Sequence, residues 1–369
     1  MRRFDAIVVG GGATGTAVAR SLAGRDREVL LLERFSIGHD RGSSGGPTRI
    51  FRLTYEDPGY VRMARLALER WRALEDEAGE RLLITTSGLD VGTEGRRSAE
   101  ALWAAGESCD YRTADEIAER WPHLYFARDA EIFEQSSGGV CLAAATVRAQ
   151  ARVANELGAT ILEGTIVERI TPQSDDGVEV VTPGETFGAP VAVLAAGSWA
   201  GPLLTDAGRP LALRPSLEQV TYFRSDAPQI LPTVIDWTVN PPSTPYLVPD
   251  PTEPGAFKVA LHMSGPAADP DRRSFDPDPV RVEKVRDYTA DVVRGSHPTG
   301  VTHTCLYTNT PDEDFVLDRI GPLVIGSPCS GHGFKFTPLI GDILADLATG
   351  GAPPVDLTRF SAARDTLRI

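Results

Sequence analysis

The order of apolar and polar positions predicts alternating strands and helices in the first part of the chain. The apolar run FDAIVV (4–9) suits a strand buried on both faces, and the apolar-periodic segment TAVARSLAG (16–24) suits a helix. The run REVLLLE (27–33) then predicts a second strand, and residues 59–80 predict a long amphipathic helix that packs on the core. This strand–helix–strand order indicates an α/β arrangement.

Further along, the pattern first repeats and then changes. A helix is predicted at 147–158, a strand at 159–170, a hairpin at 178–187 and a strand at 191–197. Between 215 and 310 the pattern changes to short β-rich runs separated by Pro- and Asp-rich turns such as PSTP (242–245). These runs are QVTYFRS, PYLVPD, AFKVALH and VTHTCLYTNT.

These two patterns predict a two-domain α/β (α+β) fold, with a discontinuous Rossmann-like domain and a second, mostly antiparallel β domain. A chain of 369 residues that is 41% hydrophobic is long and apolar enough for two cores. We assign 1–85, 141–215 and 315–369 to the nucleotide-binding domain, and 86–140 and 216–314 to the substrate domain.

A glycine-rich turn follows the first strand and predicts that this domain binds a dinucleotide. Gly10, Gly12 and Gly15 supply a tight turn, close approach of backbone to a pyrophosphate, and close packing of helix on strand. The phosphates then meet the positive end of the helix dipole. Glu33, at the end of the second strand, is placed to accept hydrogen bonds from a ribose diol, and its charge would repel the extra phosphate of NADP.

Charge and composition exclude several partners. A net charge of -14 disfavours nucleic acid and anionic membranes, because both would be repelled. No stretch approaches the roughly 20 apolar residues that span a bilayer, and the first strand begins at once, so we expect a cytoplasmic protein without a signal peptide. The four cysteines, at 109, 141, 305 and 329, have neither metal-ligand spacing nor a disulfide pattern.

Five segments together resemble a known family over essentially the whole chain. They are VVGGGATG (8–15), GSSGGPTRIFRLTY (42–55), AFKVALH (256–262), CLYTNTPDEDFVLD (305–318) and SGHGFKF (330–336). They resemble the monomeric sarcosine oxidase and N-methyltryptophan oxidase family, FAD-dependent amine oxidases of the D-amino-acid oxidase superfamily. The resemblance implies FAD, a monomer, and oxidation of secondary amines such as N-substituted or cyclic amino acids, with molecular oxygen reduced to hydrogen peroxide.

The resemblance also implies how FAD is held. It implies a thioether between Cys305 and the 8α-methyl group of the flavin, whereas sequence chemistry alone would make Cys305 a buried strand cysteine. The cofactor-binding residues that the resemblance and the glycine-rich turn imply are Gly10, Gly12, Gly15, Glu33, Arg34, Ser43, Thr48, Val167, Cys305, Gly331, Gly333 and Phe334.

On the substrate side, the resemblance implies that Arg52 and Lys335 bind a carboxylate, as fixed cations in a water-poor pocket would. Arg49 would lie against the flavin ring. Lys258, a lysine inside an apolar strand, would activate oxygen, because a positive charge stabilises superoxide. The expected pocket walls, each of which could instead be plain core or structural, are Tyr55, Tyr246, His262 and Tyr307.

A helix is predicted after SGHGFKF, with Thr337 as N-cap, Pro338 at its first position and Gly350 beyond its last turn. Its positive end would face back toward the glycine-rich turn and stabilise negative charge on the flavin. Gly331 and Gly333 would let the backbone come close to the ring.

One loop departs from the family pattern. Typical sarcosine oxidases carry a histidine pair where this chain has Ser44 and Gly45, which predicts a roomier or differently shaped pocket and a substrate larger than sarcosine. N-carboxymethyl amino acids, cyclic imino acids and N-methylated aromatic amino acids all stay open. So do a glycine or D-amino-acid oxidase acting on primary amines, a dehydrogenase with another electron acceptor, and a flavin-binding protein without enzymatic activity.

Overall fold

The computed structural model describes residues 1–173, 177–239 and 244–369. In this part of the chain the strands form sheets of six, eight, four and three strands. They are β1 (Arg2–Arg3), β2 (Ala6–Val9), β3 (Val29–Leu32), β4 (Thr48–Phe51), β5 (Leu83–Thr85), β6 (Gly88–Val91), β7 (Asp110–Arg112), β8 (Ile132–Gln135), β9 (Gly139–Leu142), β10 (Thr160–Leu162), β11 (Arg169–Gln173), β12 (Gly177–Val181), β13 (Thr186–Ala189), β14 (Val191–Leu194), β15 (Arg214–Arg224), β16 (Thr233–Asp236), β17 (Pro245–Pro249), β18 (Ala256–Leu261), β19 (His297–Asn309), β20 (Val316–Ile320) and β21 (Leu323–Ser327).

The helices cover the sheets. They are α1 (Ala13–Ala23), α2 (Pro58–Ala78), α3 (Thr93–Ala104), α4 (Ala114–Arg120), α5 (Ala143–Glu156), α6 (Ala200–Asp206), α7 (Pro279–Val292) and α8 (Thr337–Thr349). No helix in the described ranges is both long enough and apolar enough to cross a membrane.

A six-stranded sheet carries the glycine-rich turn. Its order is β10-β3-β2-β14-β21-β20, and every pair is parallel except the last, which is antiparallel. The strand β2 is buried at every position, as its continuous apolar run predicts. On one face α1 packs against α8 so closely that a Cβ on Gly341 would lie 2.7 Å from the Cβ of Ala17. This sheet confirms the predicted Rossmann-like arrangement.

An eight-stranded sheet forms the second layer. Its order is β19-β15-β18-β17-β16-β6-β8-β7, and its pairs are antiparallel apart from β16 with β6. The mostly antiparallel second sheet is therefore confirmed. The residue bounds of the two domains stay a prediction, which the placement of the strands supports.

Several predicted elements are confirmed and others need correction. The long helix at 59–80 is α2, and the hairpin at 178–187 is β12 with β13. The single strand at 159–170 is wrong: the chain turns at Gly164, whose φ is +64°, so β10 and β11 belong to different sheets. The turn predicted at 242–245 falls partly outside the described residues.

The predicted start of the last helix is also wrong. The hydroxyl of Thr337 donates to the carbonyl of Phe334 (2.6 Å) instead of accepting from the helix, because a 3₁₀ turn over Phe334–Phe336 leads directly into α8. Pro338 is the second residue of the helix, one place later than predicted, and Gly350 ends the helix in the left-handed conformation (φ +75°), as predicted.

Candidate active site

A cavity of about 740 Å³ lies between the two main sheets. Its floor is the carboxyl ends of the parallel strands β2, β3, β14 and β21, where ligands of open α/β sheets bind. Its roof is the inner face of the eight-stranded sheet, where alternate residues point inward. The roof positions include Val220, Tyr222, Tyr246, Val248, Lys258, Cys305 and Tyr307.

The glycine-rich turn brings backbone to one end of this cavity. Gly10 has a φ of +102°, and a Cβ there would lie 2.5 Å from the carbonyl oxygen of Ala195. A Cβ on Gly15 would lie 1.7 Å from the carbonyl oxygen of Gly10, so this glycine lets α1 pack on the turn and does not itself line the cavity. Gly12 lines the cavity at the start of α1.

Glu33 lies beside this turn at the end of β3. Its carboxylate accepts hydrogen bonds from the backbone N–H groups of Gly11 (2.6 Å) and Phe35 (2.7 Å), and it lies 3.4 Å from His39. Burial raises the pKa of Glu33, but the bonds from His39, Phe35 and Gly11 outweigh it and hold the pKa below its ordinary value. Glu33 is therefore a fixed anion on the cavity wall.

At the middle of the cavity two cations meet one carbonyl. The Nζ of Lys258 and the Nη1 of Arg49 each donate to the carbonyl oxygen of Thr48 at 2.7 Å. The Nη2 of Arg49 also donates to the carbonyl oxygens of Ser43 (2.7 Å) and Gly45 (2.6 Å). Burial, and then the charge of Arg49, hold the pKa of Lys258 well below its ordinary value.

Cys305 lies on β19 with its side chain on the same cavity. It is a free thiol, partly buried, and burial raises its pKa even though Arg49 and Lys258 favour the thiolate. A ligand in the cavity can therefore reach the thiol. A cysteine buried in the core of a strand, the alternative from sequence chemistry, would not be reachable.

Two more cations stand at the far end. The Nη1 of Arg52 donates to the carbonyl oxygen and the hydroxyl of Thr54, and its guanidinium lies 4.4 Å from the ring centre of Tyr55. The Nζ of Lys335 donates to the hydroxyl of Tyr55 (2.8 Å) and the carbonyl oxygen of His332 (2.7 Å). Burial, and then the charge of Arg52, hold the pKa of Lys335 well below its ordinary value.

Gly331 also lines the cavity, in close contact with two of the predicted pocket residues. Its φ is +75°, and a Cβ there would lie 2.4 Å from Tyr307 and 2.6 Å from His262. Burial, and then Arg52, lower the pKa of His262 to about 4, so this ring is neutral near pH 7. Gly333 is needed for a different contact, because a Cβ there would lie 1.5 Å from the carbonyl oxygen of Pro328.

The loop that departs from the family pattern does not open the cavity at Gly45. A Cβ on Gly45 would lie 2.7 Å from the Cα of Asp40, so backbone already fills the space of a side chain, and the expected gain of room is absent here. The hydroxyl of Ser44 instead accepts from the N–H of Ala13 at 3.0 Å and caps the start of α1.

The structure brings almost all of the predicted site residues together. Among them, only Gly15 and Tyr55 stand off the cavity wall, Tyr55 because it lies behind Lys335 and Arg52. The predicted residues on the wall are Gly10, Gly12, Glu33, Arg34, Ser43, Thr48, Arg49, Arg52, Val167, Tyr246, Lys258, His262, Cys305, Tyr307, Gly331, Gly333, Phe334 and Lys335.

Sequence reasoning missed several residues of the wall. Tyr222 pairs directly with Lys258 across β15 and β18, a register that periodicity alone does not reveal. Trp237 follows β16 in a turn, and Asp271 and Arg273 come from a segment that was predicted only as a Pro- and Asp-rich turn. No spacing signal in the sequence marks these three.

The wall fits an anionic dinucleotide. Arg273 is buried, yet its Nε and Nη1 have no hydrogen-bond partner among the described residues, and its Nη2 donates only to the carbonyl oxygen of Asp40 (3.2 Å). The positive charge of Arg273 on the cavity wall favours an anionic ligand such as a diphosphate, and the cavity volume is within the roughly 300–1,000 Å³ of small-molecule and cofactor sites. Glu33 at one end would meet the ribose.

Comparison with known proteins agrees with this fold. Residues 5–347 match the family model for FAD dependent oxidoreductases. The chain therefore belongs to the FAD-dependent oxidoreductase family.

The similar relatives are sarcosine oxidases. The chain is 32% identical to peroxisomal sarcosine oxidase of Mus musculus, over 98% of this chain and 96% of that protein. It is 30% identical to monomeric sarcosine oxidase of Bacillus sp. (strain B-0618), over 99% and 97%. Among solved structures, it is similar to the open form of NikD, an unusual amino acid oxidase, with a TM-score of 0.88, 28% identity and 98% of both chains covered.

Proposed function

We propose that this enzyme oxidises secondary amino acids with FAD and passes the electrons to molecular oxygen. The observation that carries the proposal is the position of the partly buried Arg52 and the buried Lys335 at the far end of the cavity that holds the dinucleotide turn. The names of the mouse and Bacillus relatives support the same substrate class.

The two cations bind the substrate carboxylate. A carboxylate that replaces water between Arg52 and Lys335 gains charge-assisted hydrogen bonds, each worth roughly 1.5–3 kcal/mol. Burial of Lys335, and partial burial of Arg52, lower the local dielectric and strengthen the attraction. Tyr246, Tyr307 and His262 then enclose the rest of the molecule.

The same cations prepare the amine. An ammonium group beside Arg52, Lys335 and Arg49 is disfavoured, so the pKa of a bound secondary amine falls and its lone pair becomes available. Because His262 and His332 both have lowered pKa values, both rings are neutral near pH 7, and the positive charge that acts on the amine comes from the arginines and Lys335. The cation-lined pocket itself therefore supplies the neutral amine, without a dedicated base.

FAD supplies the hydride acceptor, and the resulting imine hydrolyses in water to a carbonyl compound and a shorter amine. Gly10, Gly12 and Glu33 would hold its dinucleotide part, and Arg273 would add positive charge to the wall. Lys258 lies beside Arg49 in the middle of the cavity, where a positive charge favours superoxide and hence peroxide formation.

Cys305 would attach the cofactor through a thioether to the 8α-methyl group. Forming this C–S bond removes one hydrogen each from the thiol and the methyl group and leaves two electrons on the flavin, which molecular oxygen, the acceptor of the proposed reaction, takes up. The free thiol of Cys305 on the cavity wall and its match to the family segment support this assignment. Acid denaturation tests it: the yellow colour stays with the precipitated wild-type protein and is released from Cys305→Ala. Cys329→Ala is the matched control, because Cys329 is also a free thiol on the wall. Colour released from the wild type would contradict the attachment.

A substrate panel tests the function itself. N-methyl, cyclic and N-carboxymethyl amino acids, primary D- and L-amino acids, and a secondary amine without a carboxylate are compared by oxygen uptake and peroxide release. Turnover confined to secondary amino acids supports the proposal. Turnover of glycine or primary D-amino acids alone would identify a glycine or D-amino-acid oxidase. Turnover only with an artificial acceptor would identify a dehydrogenase.

Two predictions concern the oligomeric state and the location of the protein: it is a monomer, and it is cytoplasmic. The mouse relative is named a peroxisomal enzyme, so fractionation of cells that produce this protein is the measurement that decides location. Size-exclusion chromatography with light scattering decides the oligomeric state.

A further inference from the structure

A buried aspartate stands directly behind the proposed carboxylate site. Asp90 lies in β6 with only 3% of its surface exposed, and it is not among the residues that line the cavity. Its Oδ2 accepts from the hydroxyl of Thr54 at 2.7 Å, and its Oδ1 accepts from the indole N–H of Trp237 at 3.0 Å. The Nη1 of Arg52 lies 3.9 Å from Oδ1.

Asp90 therefore links Thr54, Trp237 and Arg52, of which Trp237 and Arg52 line the cavity. Thr54 accepts from Arg52 through both its carbonyl and its hydroxyl, so the bond from Thr54 to Asp90 also fixes Arg52. The guanidinium of Arg52 lies 4.4 Å from the ring centre of Tyr55 and 5.9 Å from that of Trp237.

This arrangement leaves the other side of Arg52 for a ligand. Among the described residues only Nη1 of Arg52 has hydrogen-bond acceptors, which are both on Thr54, while the residue lines the cavity. Trp237 and Ile235 also line the cavity, so an apolar surface lies next to this guanidinium. A long arginine side chain loses much rotational freedom on binding unless it is held beforehand.

We propose that Asp90 is a positioning residue that holds the guanidinium of Arg52 and the indole of Trp237 as one preassembled unit, which recognises the carboxylate of the amino acid and the apolar group next to it. The inference rests on the proposed function, because it assigns a role to the same carboxylate site. Asp90 acts through Arg52 and Trp237 and does not touch the substrate.

Positioning and simple electrostatics predict opposite results. Removing a negative charge behind Arg52 would strengthen attraction for a carboxylate if charge alone mattered. If Asp90 positions Arg52, its removal weakens carboxylate binding although the site becomes more positive. Asp90→Asn separates the two, because it keeps the shape and one hydrogen-bond acceptor.

The test titrates the purified holoenzyme with propionate, a carboxylate without an amine, and follows the visible flavin spectrum. Asp90→Asn is expected to weaken propionate binding roughly tenfold. It raises KM for a secondary amino acid by a similar factor and changes kcat little. Trp237→Phe removes the N–H donor and leaves a smaller aromatic ring in its place. It should shift both in the same direction by a smaller factor, and it serves if Asp90→Asn fails to fold.

Glu134→Gln is the matched control. Glu134 is also buried (2% exposed), lies in β8, which pairs with β6, and accepts from Ser87 and Arg112, neither of which lines the cavity. It should leave propionate binding unchanged. Unchanged or tighter binding in Asp90→Asn, or an equal loss in Glu134→Gln, overturns the inference.

Arg52→Lys separates this failure from failure of the proposed function. If Arg52→Lys weakens propionate binding and Asp90→Asn does not, only the positioning role is wrong. If Arg52→Lys binds propionate as the wild type does, the carboxylate site itself is wrong, and the positioning role falls with it.

Discussion

Lys335→Met tests the carboxylate site through both affinity and pH. The wild-type ammonium donates to the hydroxyl of Tyr55 and the carbonyl oxygen of His332, and a substrate carboxylate would be its first anionic partner at this end of the cavity. Loss of one hydrogen bond between charged groups costs roughly 1.5–3 kcal/mol. At about 1.4 kcal/mol per factor of ten, propionate should bind roughly 10- to 150-fold more weakly.

The pH dependence follows from the lowered pKa of Lys335. Burial and Arg52 hold this pKa well below its ordinary value in the free enzyme, and a bound carboxylate raises it again. Binding therefore takes up a proton between the two pKa values. The contribution of Lys335 to affinity is complete below the free-state pKa and is lost as the pH rises through the bound-state pKa.

Calorimetric titration with propionate in two buffers of different ionisation enthalpy measures this proton uptake directly. Tyr55→Phe is the matched control, since it removes one acceptor of Lys335 but keeps the ammonium, and it should keep the proton uptake. Equal affinity and equal proton uptake in wild type and Lys335→Met would refute the assignment of Lys335 to the carboxylate.

Two other substitutions probe the rest of the site. Lys258→Met should slow reoxidation of the reduced enzyme by oxygen roughly a hundredfold in stopped-flow mixing, with reduction by substrate little changed; in the wild type the advantage should fade as the pH rises through the lowered pKa of Lys258. Gly331→Ala combines a left-handed φ with a contact of 2.4 Å to Tyr307, whereas Gly79→Ala has a similar φ (+67°) in open space. In each variant the left-handed backbone should lower the free energy of unfolding by about 1–2 kcal/mol. The close contact should lower the Tm of Gly331→Ala further, so an equal fall in Tm for both variants would contradict that contact.

Local patterns were enough to predict the parts of the fold that depend on neighbouring residues. The helix α2 has the predicted amphipathic pattern and is capped by Asp57, whose side chain accepts from the N–H groups of Gly59 and Tyr60. The strand predicted at 159–170 failed because a left-handed glycine, Gly164, outweighs the apolar pattern on both sides.

The candidate site could likewise be predicted from the sequence only in part. Cys305 and Lys258 were expected there from the family segments that surround them, and both line the cavity. Asp90 and Trp237 meet only because β6 pairs with β16, and 147 residues of sequence separate them. No local signal marks such a pair, so the residues that support the site had to come from the structure.

The most direct test of the central claim is reduction of the enzyme by a secondary amino acid without oxygen. The purified yellow protein is mixed anaerobically with an N-methyl or cyclic amino acid, and the visible flavin band is followed before and after air is admitted. The account predicts bleaching, then full recovery of colour with one peroxide per substrate oxidised. A band that no secondary amino acid bleaches would contradict the proposed function, and bleaching that air does not reverse would contradict the assignment as an oxidase.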